Sequence, residues 1–440
     1  MRTLIFGSTI ADGNRVYKGS IVTDNDVIEK IYENETPREH FDKTIDASGC
    51  FVIPGVIDEH VHFREPGMTE KADICSESRA AAAGGVTSFF DMPNTTPPTV
   101  NLANLEDKFR RASEESRINY SFFFGATNSN YGLFDSLDIH RIPGVKLFMG
   151  ASTGNMLVDK KEALQNIFKN SPLPIMTHCE DTEMINRNMA DARQKYGEDP
   201  DIRMHYQIRS EEACVRSTAL AISLAEQYDA QLHVAHITTA KELEMIKAAG
   251  DKITGEAVIA HLLFDNSRYE DLGTLIKCNP SVKTSADRDA LRRALNDGTL
   301  YTVATDHAPH LLSQKQGGCA RAVSGMPMVQ FSLCTMLTLA SEGVLTIGRV
   351  VELMCNNPAR LFSVRDRGFL KEGYKADIAI VKQCEPYSVT NDMVISKCGW
   401  TPLAGTKLSW KVMHTFCNGK HVYDNGIIND SIRGEEIKFR

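Results

Sequence analysis

The sequence predicts an α/β protein: a TIM (β/α)8 barrel carrying a small β-sandwich domain built from both chain ends. Three observations point there. After Gly49, short apolar runs rich in β-formers alternate with longer stretches of helical period, the grammar of a parallel sheet with crossover helices. Eight such runs fall within roughly 260 residues, the size and rhythm of a TIM barrel. Both ends of the chain instead read as short strands separated by turn residues.

Within residues 1–50 the expected strands are Thr3–Phe6, Gly19–Thr23 and Val27–Ile31, broken at Asp12-Gly13-Asn14 and Asp24-Asn25. The eight barrel runs are Val56–His62, Val86–Met92, Tyr120–Ala126, Val145–Met149, Pro174–Cys179, Gln231–Ile237, Ile253–Ile259 and Tyr301–His307. Helices are expected at Ile74–Ala83, Leu102–Ser116, Lys160–Lys169, Glu211–Gln227, Ala240–Ala249 and Ala286–Asn296, then at Met326–Ala340 and Ile347–Cys355. Strands return at Asp377–Val381, Trp410–Thr415 and His421–Tyr423. Residues 1–50 and 366–440 therefore form the small domain, and 51–365 the barrel. An open doubly wound sheet is the alternative, but no Gly-x-Gly-x-x-Gly follows the first strand to support a nucleotide site.

Composition narrows the function. A net charge of -8 argues against general nucleic-acid binding, and no apolar run reaches the length of a membrane span. Eleven cysteines, an odd number without a Cys-x-x-Cys pair, fit reduced thiols in a cytoplasm better than a disulfide framework. The start of the chain turns polar too quickly for a secretory signal, which agrees with a cytoplasmic expectation.

The chemistry collects where barrel strands end, the face on which such barrels build their sites. His60 and His62 alternate along the first strand and so project together, with Arg64 following on the same parity. Alone, a His-x-His pair is as readily a satisfied core pair as half a metal site. His178 ends the fifth run, His236 the sixth, and Asp306-His307 the eighth, while Lys146 sits among apolar neighbours in the fourth. Imidazoles and a carboxylate without thiolate suit zinc or a similar divalent ion, and there are more of them than one catalytic metal needs. A two-metal site would want a bridging anion, yet the fourth run offers only Lys146, whose ordinary reading is a lysine paired with a nearby acid. Arg64 supplies a planar fork suited to a carboxylate on a small-molecule substrate.

Pro54-Gly55-Val56-Ile57-Asp58-Glu59-His60-Val61-His62-Phe63-Arg64-Glu65-Pro66-Gly67, Asp91-Met92-Pro93-Asn94-Thr95, Thr177-His178-Cys179-Glu180 and Thr305-Asp306-His307-Ala308-Pro309-His310 closely resemble the dihydroorotases, in the class I-like branch of the cyclic amidohydrolases. The resemblance extends over nearly the whole chain, with Asn357-Pro358-Ala359-Arg360 and Gly373-Tyr374-Lys375-Ala376-Asp377 marking the passage into the small domain. It implies two zinc or similar ions: His60 and His62 on the first, completed by Asp306, and His178 and His236 on the second. It implies that Lys146 is carboxylated by carbon dioxide and becomes the bridging anion, and that Asp306 also moves the proton in reversible hydrolysis of dihydroorotate to N-carbamoyl-aspartate. Arg64 and Asn94 would hold the substrate carboxylate, and Asn279 and His310 would contact the substrate. Relatives carry a Phe-Gly pair after the last histidine; this chain reads Gly318 to Gly325 there, and Arg321, Ala322 and Val323 are the expected replacement contacts.

Other readings follow from the same residues. His307 is expected in a structural role and His233 packed on the opposite strand face, while His140, His205, His261, His414 and His421 have no converging partners in sequence. An allantoinase or dihydropyrimidinase would share the metal shell, and Arg64 and Asn94 discriminate against them, because an uncharged ring gives no reason for a carboxylate fork. A catalytically silent scaffold would show broken ligand sets. A homodimer is the expected state, and a lid is expected after Gly150 or after His310.

Overall fold

The computed structural model describes residues 1–13, 15–150 and 156–440. Asn14 of the first expected turn, and the lid expected just after Gly150, therefore lie outside the described residues. Eight parallel strands make the barrel: Val56–Val61, Val86–Asp91, Asn119–Gly125, Val145–Phe148, Ile175–His178, Leu232–Val234, Ile253–Val258 and Leu300–Ala304. The third is interrupted at Phe123, where the ladder changes partners: Phe123 N donates to Asp91 O behind it, and Phe124 N to Gly144 O ahead. The barrel closes between its first and last strands, through His62 N to His307 O (2.7 Å) and Thr305 Oγ1 to Asp58 Oδ2 (2.7 Å).

Crossover helices start where short polar side chains can take the free N–H groups of the first turn. Asp73, Asn101, Ser210, Thr239 and Thr284 cap the helices at Ile74–Ala83, Leu102–Glu115, Glu211–Tyr228, Ala240–Ala248 and Ser285–Asp297. One long helix, Thr182–Tyr196, was not expected from the sequence. It is polar and buries only Ile185 and Ala192, so it shows almost no apolar period. The stretch expected as one helix at Ile347–Cys355 is α-helical to Val351, widens into a π turn over Glu352–Asn356, and resumes at Asn357–Leu361. Pro358 has no N–H to give to the preceding turn.

The two chain ends share one nine-stranded sheet. The first strand, Arg2–Asp12, shifts register between Ile5 and Ser8. Its first half pairs with Lys43–Asp46, and its second half, through Thr9 and Ile10, with Phe51–Pro54. Phe51–Pro54 in turn pairs antiparallel with Ile378–Ser388, so the sheet takes in the four residues just before the barrel begins. Ile5, Ile10, Ile21, Val52, Ile378 and Phe416 are buried together inside this domain. At the barrel floor the C-terminal tail returns, with Ile437 and Phe439 buried against Ile57, Phe90, Phe123 and Phe362. Among the described residues no helix is long and apolar enough to cross a membrane.

Candidate metal centre and substrate pocket

The barrel mouth holds a cavity lined by His60, His62, Lys146, His178, His236 and Asp306, with Arg64, Asn94 and Asn279 on its rim. Three of these side chains are aimed inward by backbone that ordinary residues avoid. Arg64 (φ 67°), His236 (φ 41°) and Asp306 (φ 45°) are all left-handed, a conformation costing about 1–3 kcal/mol each. They stand where a strand ends and must turn its last side chain over the barrel axis.

His60 and His62 face Asp306 with the same atoms. His60 Nε2 lies 3.4 Å and His62 Nε2 3.0 Å from Asp306 Oδ1. Their other ring nitrogens are held by acceptors: His60 Nδ1 by Glu256 Oε1 (2.8 Å) and His62 Nδ1 by Asn94 Oδ1 (2.8 Å). Each Nε2 therefore carries its lone pair toward a carboxylate oxygen, an arrangement that needs a cation between them. Protonation of the rings does not supply it at neutral pH. Burial lowers the pKa of His60 to about 3 and of His62 to about 4. Burial opposes the Asp306 charge, yet His60 and His62 hold its carboxyl well below the usual range. His60, His62 and Asp306 form a candidate metal site.

Opposite them, His178 Nδ1 lies 3.0 Å from His236 Nε2. His178 Nε2 is held by Glu180 Oε2 (2.9 Å), which also takes Arg209 Nη1 (2.5 Å). Burial pushes the Glu180 carboxyl up, but Arg209 and His178 outweigh it and leave the pKa at about 2, so this anchor stays ionised. Lys146 lines the same cavity, fully buried, and among the described residues its Nζ has no hydrogen-bond partner. Burial lowers its pKa to about 8 against the pull of Glu256 and Asp306. A buried amine of this kind readily loses its proton, as an amine must before it adds carbon dioxide. The donors His60, His62 and Asp306, with two further imidazoles and a buried lysine beside them, fit a divalent ion of the zinc class.

Arg64 is buried and cationic, its pKa lowered by burial only to about 10. Its Nε donates to Pro309 O (3.0 Å), and Nη2 meets His310 Nε2 at 3.0 Å. Among the described residues no carboxylate lies within ion-pairing distance of its guanidinium. His310 is positioned from behind by Trp400, whose Nε1 donates to its carbonyl (2.7 Å). Asn279 lines the cavity, and among the described residues its buried Oδ1 has no partner.

The structure departs from the sequence reading in four places. Asn94 lines the cavity but turns its Oδ1 to His62, so it orients a ligand as well as facing the substrate space. Arg321, Ala322 and Val323 do not line the cavity; Ser324 and Gly325 do. The Arg321 side chain is exposed, and the carbonyls of Ala322 and Val323 are taken by the buried ammonium groups of Lys277 and Lys315. Glu256, which fixes both His60 and the backbone N–H of His236 (2.9 Å), was not singled out. It sits between Gly255 and Ala257, and a charged residue inside a barrel strand is the signal that marks it. Finally, His414 and His421 do converge, with each other and with Asp424. His307 and His233 take the packed roles expected, bonded to Glu77 (2.7 Å) and to Thr254 (2.7 Å).

Fold and site together define a hydrolase built on a barrel mouth, with a candidate metal site. The chain belongs to the amidohydrolase family, whose sequence profile matches residues 51–422. It is 30% identical over 408 residues to a dihydroorotase of Methanothermobacter thermautotrophicus, covering 90% of each chain. It is 30% identical over 437 residues to a dihydroorotase of Lactobacillus johnsonii, covering 97% of this chain and all of that one. Among solved structures, an L-hydantoinase (dihydropyrimidinase) from Arthrobacter aurescens superposes with a TM-score of 0.94 at 24% identity, over 100% of this chain and 99% of the other. A dihydropyrimidinase from Brevibacillus agri gives 0.91 at 22% identity, over 99% and 98%. At those identities the structural likeness speaks for the fold.

Proposed function

We propose that the protein is a dihydroorotase, interconverting L-dihydroorotate and N-carbamoyl-L-aspartate. The observation that carries this reading is Arg64: a buried guanidinium beside a metal-type cluster, tied to Pro309 and His310 and without a carboxylate partner among the described residues. A buried cation without a counter-ion is costly, and a substrate carboxylate would offset that cost while fixing which ring carbonyl faces the metal centre. The curated relatives named above point the same way.

In this reading His60, His62 and Asp306 would hold one ion, His178 and His236 the other, and Lys146, once carboxylated, would supply a further anionic ligand. Two such ions would polarise the ring amide carbonyl and acidify a water for attack. Asp306, its carboxyl held well below the usual range, accepts the proton of the attacking water on a carboxylate oxygen and gives it to the departing ring nitrogen. Asn94 and Glu256 hold the His62 and His60 rings in the tautomers that present Nε2. Hydrolysis frees a carboxyl group that ionises near neutral pH, so acidification favours ring closure.

The test compares turnover of dihydroorotate, allantoin and dihydrouracil by the zinc- and bicarbonate-supplied enzyme. Dihydroorotate should be preferred, and Arg64→Ala should abolish that preference while retaining the metal. Preference for either uncharged ring would make the protein another cyclic amidohydrolase, and no turnover of any would make it a silent scaffold.

A further inference from the structure

The second histidine cluster lies in the β domain, on the hairpin made by Lys407–Cys417 and Lys420–Asp424. His414 stands opposite Asp424 in the antiparallel register, and a register shift beside Phe416 brings His421 onto the pair. His414 Nδ1 lies 3.1 Å from His421 Nε2 and 3.1 Å from Asp424 Oδ1. The His421 ring is fixed by stacking on Phe416, with centroids 4.4 Å apart and planes 12° apart. Its Nδ1 meets Lys43 Nζ at 3.0 Å, from the strand Lys43–Asp46. Both rings are largely shielded (side-chain exposure 20% and 12%), while Asp424 opens to water at 56%.

Counting protons shows that these contacts cannot all be satisfied. If Lys43 donates to His421 Nδ1, the ring proton sits on Nε2 and must point at His414 Nδ1. His414 Nδ1 is then an acceptor, and its contact with Asp424 sets a lone pair against a carboxylate. If instead His414 Nδ1 carries the proton and gives it to Asp424, His421 Nε2 must accept and its Nδ1–H faces the Lys43 ammonium. Either way one of three short contacts is unfavourable. Removing the protons from the facing nitrogens resolves the conflict: His414 Nδ1, His421 Nε2 and the carboxylate then offer lone pairs to one point.

We propose that His414, His421 and Asp424 form a second, peripheral site for a borderline divalent ion of the zinc, nickel or copper class, separate from the barrel-mouth centre. Two imidazoles and one carboxylate leave a fourth position to water, as zinc sites with three protein ligands do. The ion clips the two strands of the terminal hairpin and takes over from Lys43 as the cation of the cluster. Lys43, on a flexible stem, swings away when His421 Nδ1 becomes protonated. The ammonium therefore competes with the metal, a consequence that mere packing of the histidines would not have.

Equilibrium dialysis of the full-length enzyme against zinc, with metal counted per chain, tests this. Wild type should hold one more ion per chain than His414→Ala or Asp424→Asn, with turnover of all three alike. Lys43→Met should bind this extra ion several-fold more tightly than wild type, and His421→Ala at least about tenfold more weakly. Equal stoichiometry in wild type, His414→Ala and Asp424→Asn would overturn the proposal. So would weaker or unchanged zinc binding in Lys43→Met, a variant that leaves every proposed ligand in place.

Discussion

Two regions of the barrel each bury a lysine completely, and they treat its charge in opposite ways. At the end of the second strand, Lys108 reaches from its helix to Asp91, donates also to Met92 O (3.0 Å), and stands 4.9 Å over the Phe122 ring. Asp91 in turn accepts from Phe63 N (2.7 Å), just past the His60–His62 strand. Every charge there is answered within the fold. Inside the fourth strand, Lys146 shares the cavity with two pairs of histidines, and among the described residues its Nζ has no hydrogen-bond partner. Burial of a lysine is thus no sign of function; burial without an acceptor is. Lys108 braces the strand that carries His60 and His62, whereas Lys146 holds the charge that the proposed carboxylation would reverse.

The contrast can be broken from either side. The largest effect is expected at the open site. Lys146→Ala should lower turnover by on the order of 10³-fold and reduce bound metal, while the denaturation midpoint of the metal-free protein stays near that of wild type. Metal analysis beside urea titration reads both. Lys108→Ala should do the reverse, leaving Asp91 buried and unpaired at a cost of about 3–5 kcal/mol in urea unfolding, with metal content kept in the folded protein.

Smaller effects sharpen the picture. Arg64→Ala should reduce kcat/KM for dihydroorotate by roughly 100-fold, mostly through KM, without loss of metal, because the fork holds substrate and touches no proposed ligand. Glu256→Gln should weaken metal binding about 10–100-fold, since it anchors both His60 and the backbone of His236. The smallest is a pH effect on stability. Burial holds His233 neutral, with a folded pKa of about 3, below the value of an unfolded chain. Between those values the unfolded state binds more protons, so stability is full above the unfolded pKa and falls as pH drops. From pH 7 to 5 the share of the loss due to His233 should be about 2 kcal/mol, and His233→Gln should remove that share from chemical denaturation curves.

Much of this was legible in the sequence because it is written in side chains of fixed period. The helix at Ile74–Ala83 follows its Asp73 cap, and each expected barrel run overlaps an observed strand. Five of the six proposed ligand positions stand at or just past strand ends, where barrel geometry sends them inward, and Lys146 lies inside the fourth strand. What escaped is held by other means. Ser324 and Gly325 reach the cavity because Lys277 and Lys315 clasp the neighbouring carbonyls, and a contact set by backbone leaves no residue pattern to read. The meeting of His414, His421 and Asp424 depends on a hairpin register and its shift, which spacing along the chain does not reveal. Thr182–Tyr196 is a helix with too little buried surface to impose a period.

Whether Lys146 becomes an anion is tested most directly by carbon-13 NMR of protein equilibrated with labelled bicarbonate and zinc. One carbamate carbon signal per chain is expected, present in wild type and in Lys108→Ala and missing from Lys146→Ala. A fully active, metal-loaded enzyme without that signal, or a signal that survives Lys146→Ala, would contradict it.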